Sequence, residues 1–116
     1  MVPDTGTNWL AQLRRGVVEH CVLALLRDGE RYGFDLARSL AESDGLLAGE
    51  GTIYPLLTRL RRAQLVESTW RESTQGPPRR YYRLTPAGER ALLGFRQEWQ
   101  RFRDGVDRVL DDGGAL

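Results

Sequence analysis

The sequence predicts a mainly α-helical fold with one small β-hairpin, in the order α-α-α-β-β-α. Four segments repeat apolar residues at intervals of three and four, the spacing of amphipathic helices. After the third segment, two stretches rich in Val, Thr, Trp and Tyr flank a Gly/Pro cluster, as in a hairpin. Residues 59–83 hold seven arginines and two glutamates, a local net charge of +5 in a chain of net charge +1. A helix followed by a basic hairpin is typical of a winged helix-turn-helix that binds DNA.

Composition limits the class of protein. A chain of 116 residues is expected to form one domain around one core. No apolar run approaches the ~20 residues that span a membrane, and no signal-peptide pattern opens the sequence. The single cysteine, Cys21, excludes an internal disulfide and suits a reducing cytoplasm, where we expect the protein to act. All 17 basic residues are arginines, which excludes mechanisms that need a lysine.

Three helices are predicted in the first half of the chain. Residues 1–8 are expected to form a flexible arm, and the first helix is predicted over residues 10–26, where Asp28-Gly29 stop it. The second helix is predicted over 34–42 and the third over 52–63. Pro55 is compatible with the third helix because it falls in the first turn, where its missing N–H is not needed.

The hairpin and the last helix complete the fold. Strands are predicted over residues 65–71 and 80–84, joined by a turn cluster at 73–78. Thr85 and Pro86 have the residue types of an N-cap and a first helical position, so they start the last helix. The expected organisation is an arm (1–8), a winged helix-turn-helix domain (9–85), a C-terminal dimerisation helix (86–112) and a tail (113–116).

The last helix carries a heptad seam of apolar residues at spacings of three and four. These residues are Leu92, Phe95, Trp99, Phe102, Val106 and Val109. An exposed stripe of this size would be a substantial apolar patch. We therefore expect a homodimer formed through this helix, the alternative being that the seam packs back on its own domain.

Five sequence blocks share a further pattern: residues 13–16, 22–26, 31–36, 51–60 and 80–88. They include the strings Arg31-Tyr32-Gly33, Gly51-Thr52-Ile53-Tyr54-Pro55 and Leu84-Thr85-Pro86-Ala87-Gly88. In order and spacing, over about residues 10–110, they resemble the PadR family of bacterial transcriptional regulators, in its short form with a single C-terminal helix. One departure is Gln64, where the family commonly has glycine, the residue that readily accepts a positive φ.

The resemblance implies a dimeric repressor that binds a pseudo-palindromic operator in double-stranded DNA and is released by a small planar or phenolic effector. It also implies that an aromatic residue of the C-terminal helix lines the effector site at the dimer interface, and Trp99 stands at the matching place. Phe95 and Phe102 would form the walls of that site. Trp9 is expected either to close the same pocket or to anchor the N-terminus. A purely structural role for Trp99 in the core stays open.

The candidate DNA-binding residues lie on the third helix and the hairpin. In the third helix, Arg59 and Arg62 are expected to read guanine edges, although charged outer helix faces are also common without any such role. Hairpin arginines are expected to contact phosphates rather than bases. The two tyrosines in the set either contact phosphate or pack with an exposed hydroxyl. The full set is Tyr32, Thr52, Tyr54, Thr58, Arg59, Arg62, Arg71, Arg79 and Arg80.

Enzymatic chemistry is not expected. The adjacent His20 and Cys21 point about 100° apart on a helix and cannot act as a pair. No Cys/His cluster has metal-ligand spacing, and no cofactor motif is complete. Two alternative functions stay open: a winged-helix protein-interaction module without an operator, and a DNA-binding regulator that responds to no ligand.

Overall fold

The computed structural model describes residues 5–43, 46 and 52–115, with the side chains of residue 13 and of residues 16–112 within those ranges. There the chain forms four helices and three strands. They are α1 (Thr5–Leu25), β1 (Arg31–Tyr32), α2 (Gly33–Ala41), α3 (Ile53–Arg62), β2 (Val66–Ser73), β3 (Gly76–Leu84) and α4 (Pro86–Ala115). The predicted α+β fold and order of helices are confirmed, and a short strand precedes α2.

One apolar core holds the first three helices, the base of the hairpin and the start of α4 together. The fully buried side chains include Leu23 of α1, Leu36 of α2, Leu57 of α3 and Val66 of β2. Burial of each such side chain contributes roughly 1.5–3 kcal/mol before the entropy cost of folding is counted. The core fixes α3 by one side only, which leaves its other side facing outward.

The sheet has three antiparallel strands in the order β1-β3-β2. In β1, Arg31 pairs with Tyr82 and Tyr32 pairs with Tyr81. The sequence prediction began the second helix at residue 34 and assigned Arg31 and Tyr32 to no strand. A strand of two residues is too short for a period-two pattern, so only the tertiary pairing reveals it.

The hairpin is longer than predicted. The turn consists of residues 74–75, so the predicted turn cluster at 73–78 is wrong, and Gly76, Pro77 and Pro78 belong to β3. Between the pairs Arg71–Arg79 and Ser73–Gly76 the ladder shifts by one residue, which places both prolines opposite one residue of β2. Proline has no N–H to donate to the ladder, and the ladder is interrupted at a bulge. A bulge can therefore hold prolines without losing a hydrogen bond.

Two helix boundaries also differ from the prediction. Helix α1 begins at Thr5, so residues 5–8 of the predicted arm are helical, and residues 1–4 lie outside the described residues. Helix α4 continues to Ala115, so the predicted tail is helical up to that residue, and residue 116 lies outside the described residues. Apolar periodicity begins at Leu10 and ends near Leu110, and therefore cannot locate the turns beyond them.

Thr85 and its neighbours join the hairpin to α4. The Thr85 hydroxyl accepts a hydrogen bond from the Gly88 N–H at 3.0 Å and donates one to the Gln64 carbonyl at 2.7 Å. The predicted N-cap role of Thr85 is thereby confirmed. Gln64 has a φ of 63°, so the chain adopts at this position the left-handed backbone that glycine would favour. Each helix in the described ranges is too short or too polar to span a bilayer.

Candidate nucleic-acid interface

Helix α3 presents a polar face away from the core. Ile53, Leu56, Leu57 and Leu60 are buried on its inner side. At about 100° per residue, Thr58 and Arg62 lie opposite this buried side, Arg59 lies at one edge and Tyr54 at the other. The predicted residues of α3 therefore share its outward half, with Arg59, Arg62 and Tyr54 exposed and Thr58 half-buried.

Arg59 is not a freely solvated side chain. Its Nε atom donates a hydrogen bond to Oε1 of Glu19, a residue of α1, and the two side chains form an ion pair. The side chain of Arg59 is 57% exposed and that of Glu19 is 26% exposed. The edge of α3 that carries Arg59 is thus tied to α1.

One face of the wing, the hairpin formed by β2 and β3, carries two arginines held against tyrosines. The Arg79 guanidinium lies 4.8 Å from the ring centre of Tyr32, and the Arg71 guanidinium lies 5.2 Å from that of Tyr81. Arg71 also forms an ion pair with Glu30. Cation–π stacking orients a guanidinium without neutralising its charge.

The opposite face carries Arg80. Its guanidinium lies 5.3 Å from the ring centre of Trp70, and its Nε donates to the Ser68 hydroxyl at 3.1 Å. Successive residues of a strand point to opposite faces, so the side chains of Arg79 and Arg80 leave β3 on different faces of the wing. Arg71 shares a face with Arg79, its direct partner in the ladder, and not with Arg80.

A groove of about 310 Å³ lies between the wing and the starts of α2 and α3. It brings together four predicted residues: Tyr32, Tyr54, Arg79 and Arg80. Thr52, Thr58, Arg59, Arg62 and Arg71 are not among its lining residues. Gly33 allows the close packing at its base, since a Cβ there would lie 3.3 Å from Cε1 of Tyr54 and 3.5 Å from Cε1 of Tyr82.

A second groove, of about 430 Å³, lies between α1 and α4. Its lining combines Leu13, Gly16 and Val17 of α1 with Phe95, Glu98, Trp99 and Phe102 of α4. The three aromatic residues predicted to form an effector site therefore line one groove. The side chain of Trp9, the fourth predicted residue, lies outside the described residues.

The aromatic rings of this groove lie in a row, each in contact with the next. Phe95 stacks on Trp99 with ring centres 6.0 Å apart and an angle of 11° between planes, and Trp99 contacts Phe102 at 6.3 Å. On its other side Phe95 stacks on His20 at 4.1 Å and 6°. Sequence reasoning placed no α1 residue except Trp9 near this site. Leu13 and Val17 lie four residues apart, at helical spacing, and that spacing is the signal that could have placed them on one face of α1.

The seam of α4 divides into two parts. Leu92 is 6% exposed and lies in the core of its own domain, so its assignment to the dimer interface is wrong. The first turns of α4 pack on the core because they follow directly from the hairpin. Farther along, Phe102 is 63% exposed, Val106 39%, Val109 71% and the neighbouring Leu110 66%. Among the described residues, the apolar stripe therefore lacks a packing partner only over its C-terminal half.

In the part of the chain that the structure describes, His20 and Cys21 have no neighbours that would form a reactive centre with them. Burial raises the pKa of the Cys21 thiol, which disfavours the reactive thiolate. His20 has a buried Nδ1 atom without a hydrogen-bond partner among the described residues. No group of three or more His, Cys, Asp or Glu side chains in the described part of the chain is arranged to hold a metal ion.

Comparison with known proteins gives one family. The Transcriptional regulator PadR-like family matches residues 22–93. The chain is 36% identical over 88 residues to Transcriptional regulator Rv3488 of Mycobacterium tuberculosis, covering 76% of this chain and 80% of that protein.

Solved structures agree in fold. A PadR-like transcriptional regulator from Bacillus cereus is 36% identical with a TM-score of 0.76, over 85% of this chain and 96% of that one. A PadR family transcriptional regulator from Eggerthella lenta is 36% identical with a TM-score of 0.78, over 92% and 93%. The chain therefore belongs to the PadR-like family of DNA-binding transcriptional regulators, which are winged-helix proteins and not enzymes.

Proposed function

We propose that this protein is a transcriptional repressor that acts in the cytoplasm as a homodimer on an inverted-repeat operator in double-stranded DNA. The observation that carries the proposal is the position of the basic residues. The outward face of α3 and the groove beside the wing lie next to each other, and Tyr54 of α3 belongs to both. One protomer thus offers a helix for a groove of DNA and a hairpin for the adjoining backbone.

In this arrangement α3 enters the major groove. Arg59 and Arg62 have the guanidinium fork that binds the O6 and N7 atoms of guanine, and Thr58 on the same face can contact a phosphate or a thymine methyl group. Thr52, which is exposed at the N-terminal end of α3, is suited to contact a phosphate. These residues supply the specific part of the binding free energy.

The wing contacts the DNA backbone of the same half-site. Arg79 lies over Tyr32 and lines the groove with Tyr54, which places a cation and two hydroxyl groups on one surface. Phosphate contacts of this kind position the protein without reading sequence. Arg80 and Arg71 extend the positive charge to the two faces of the hairpin.

The exposed half of the α4 seam supports dimerisation. Phe102, Val106 and Val109 line up along one face of a helix that extends a molecule 60 Å long. Two copies packed through this stripe would bury it. A two-fold dimer matches the symmetry of an inverted repeat.

The groove between α1 and α4 is suited to a planar aromatic effector. Its walls are largely apolar, and Phe95 and Trp99 are nearly parallel, so a flat ring can stack against them. A ligand there would alter the angle between the α4 helices and move the two copies of α3 out of register. It shifts the equilibrium only by its difference in affinity for the two arrangements.

The experiment that tests the proposal is the capture of genomic fragments by the purified protein at about 150 mM salt, followed by sequencing. Enrichment of a few inverted-repeat promoter fragments is expected. The Arg62→Ala variant is expected to lose this enrichment, whereas Arg101→Ala, on α4 and ion-paired to Glu98, is expected to keep it. Recovery of random DNA only would contradict the proposed operator specificity.

A further inference from the structure

We propose that Glu19 of α1 determines DNA sequence specificity by holding Arg59 in the orientation that reads a guanine. Glu19 acts through Arg59 and is a positioning residue, without contact to DNA of its own. The inference rests on the proposed function, because it requires α3 to enter the major groove.

The hydrogen bond to Glu19 uses one side of the guanidinium group. The carboxylate accepts from Nε, which faces back toward α1. A guanidinium has five N–H donors in a rigid planar fork, so fixing Nε also fixes the direction of both Nη atoms. Among the described residues, neither Nη atom of Arg59 has a hydrogen-bond partner. The far edge of the fork therefore remains available for bidentate contact with O6 and N7 of guanine.

Glu19 is more buried than Arg59, the residue that it holds. Glu19 lies between Val18, which belongs to the core, and the half-buried His20, on a helix that the core holds rigidly. Its side chain is 26% exposed, whereas that of Arg59 is 57% exposed. A sheltered carboxylate on a rigid helix restricts the rotamers of a long exposed side chain before DNA arrives. Such preorganisation lowers the entropy cost of the contact with the base.

Two further ion pairs differ from the Glu19–Arg59 pair, because neither of them involves α3. Arg83 and Glu67 lie on the wing with Nε and Oε1 2.6 Å apart, and both side chains are at least half exposed. That pair joins two strands that the ladder already holds together. Arg71 and Glu30 likewise lie away from α3. Only the Glu19–Arg59 pair among these connects the proposed recognition helix to another element.

The test compares variants by selection of bound duplexes from a randomised 20-base-pair library. Wild type, Arg59→Ala, Glu19→Ala, Glu19→Gln and Glu67→Ala are each used at about 150 mM NaCl, since salt decides how strongly phosphates contribute. Wild type is expected to select guanine at one position of each half-site, and Arg59→Ala to lose that preference. Glu19→Ala should lower the same preference roughly tenfold and leave the other positions unchanged.

Two variants control for charge and folding. Glu67→Ala makes the same charge change as Glu19→Ala, and it should keep the wild-type preference at every position. Glu19→Gln keeps the size of the side chain and an oxygen that accepts from Nε, so it should retain part of the guanine preference. Thermal unfolding of each variant confirms that the domain is folded before selection.

The outcomes separate this inference from the proposed function. If Arg59→Ala loses the guanine preference and Glu19→Ala and Glu19→Gln both keep it in full, the positioning role is wrong and the DNA-binding mode stands. Stronger binding of both Glu19 variants to every duplex, with the preference intact, would instead mean that Glu19 masks Arg59, and would also overturn the inference. If wild type enriches no sequence, the proposed function and the inference both fail.

Discussion

At the scale of single residues, the connection between wing and α4 depends on the missing side chain of Gly88. A Cβ at this position would lie 2.0 Å from the carbonyl oxygen of Leu65 and 3.1 Å from Cδ2 of Leu84. The Leu65 oxygen is itself fixed, because it accepts a hydrogen bond from the Thr85 N–H at 3.1 Å. The backbone therefore cannot yield without losing that bond.

We expect Gly88→Ala to lower the free energy of unfolding by about 1–3 kcal/mol, although alanine favours helix more than glycine does. Gly94→Ala is the matched control, because it lies in the same helix and a Cβ there would meet no atom within 4 Å. That variant should raise the free energy of unfolding by about 0.5–1 kcal/mol. Urea unfolding followed by circular dichroism measures both, and equal effects would contradict the argument.

Trp99 is the residue on which we expect the proposed effector response to depend. It stands between Phe95 and Phe102 in the groove beside α1 and is only half-buried. We expect Trp99→Ala to abolish the release of DNA by planar aromatic compounds while DNA binding remains measurable. Titration of a panel of phenolic acids and planar dyes against the protein–DNA complex tests this.

Leu93→Ala is the control for that titration, because Leu93 is an exposed apolar residue of the same helix, outside the α1–α4 groove. It should respond to the same compounds as wild type does. A Trp99→Ala variant that still responds fully would show that the groove is not the effector site.

At the scale of elements, the wing is expected to contribute affinity rather than specificity. Arg79 is oriented by stacking on Tyr32, and it lies on the wing and not on α3, the helix proposed to read bases. We expect Arg79→Ala to weaken binding to selected and random duplexes by the same factor. It should also reduce the slope of log affinity against log salt by roughly one unit per half-site. Fluorescence anisotropy at several NaCl concentrations provides both values, and a loss confined to the selected duplex would contradict this role.

The two halves of α4 differ in burial. Its beginning is fixed by Leu92 in the core, whereas Phe102 and Val109 expose most of their surface. We expect Val109→Glu to convert a dimer into a monomer in analytical ultracentrifugation, because a charge on the seam would be buried without a partner. Gln97→Glu, with the same new side chain on the opposite face of the helix, should remain dimeric. A dimeric Val109→Glu protein would place the interface elsewhere.

At the scale of the whole molecule, a dimer fixes the distance between two recognition helices. The half-sites of a selected operator should therefore lie about one helical turn, or a multiple of it, apart. Insertion of five base pairs between them moves one half-site to the other side of the DNA. We expect the affinity to fall on the order of 100-fold, since the two protomers can no longer bind together. Unchanged affinity in a gel-shift titration would contradict binding as a rigid dimer.

Much of the fold could be predicted because apolar residues recur at intervals of three and four along each helix. The buried side chains of α3 recur at the spacing that indicated a helix, and Thr85 caps α4 as its residue type indicated. The strand β1 could not be found in this way, since it exists only through pairing with Tyr81 and Tyr82. The position of Pro77 in β3 also depends on a bulge, which arises from the pairing of two strands and cannot be predicted from the residues around Pro77.

The candidate sites show the same division. Phe95, Trp99 and Phe102 could be grouped from their spacing on one helix, because residues three and four apart share a face. Leu13 and Val17 complete the groove from α1, about 80 residues earlier, and no local pattern links them to Trp99. Leu92 belongs to the same heptad seam, but the packing of α4 on the core removes it from the surface.

The sequence by itself determined the order of the helices, the basic character of α3 and the wing, and the apolar stripe of α4. These are local properties, set by residue type and by the period of a helix or strand. Only the tertiary structure decided which arginines meet a partner, since the pairing of Arg59 with Glu19 joins residues 40 positions apart. It also decided how much of the stripe stays exposed. The physical reason is that burial and charge pairing depend on distance in space, which chain spacing does not fix beyond one element.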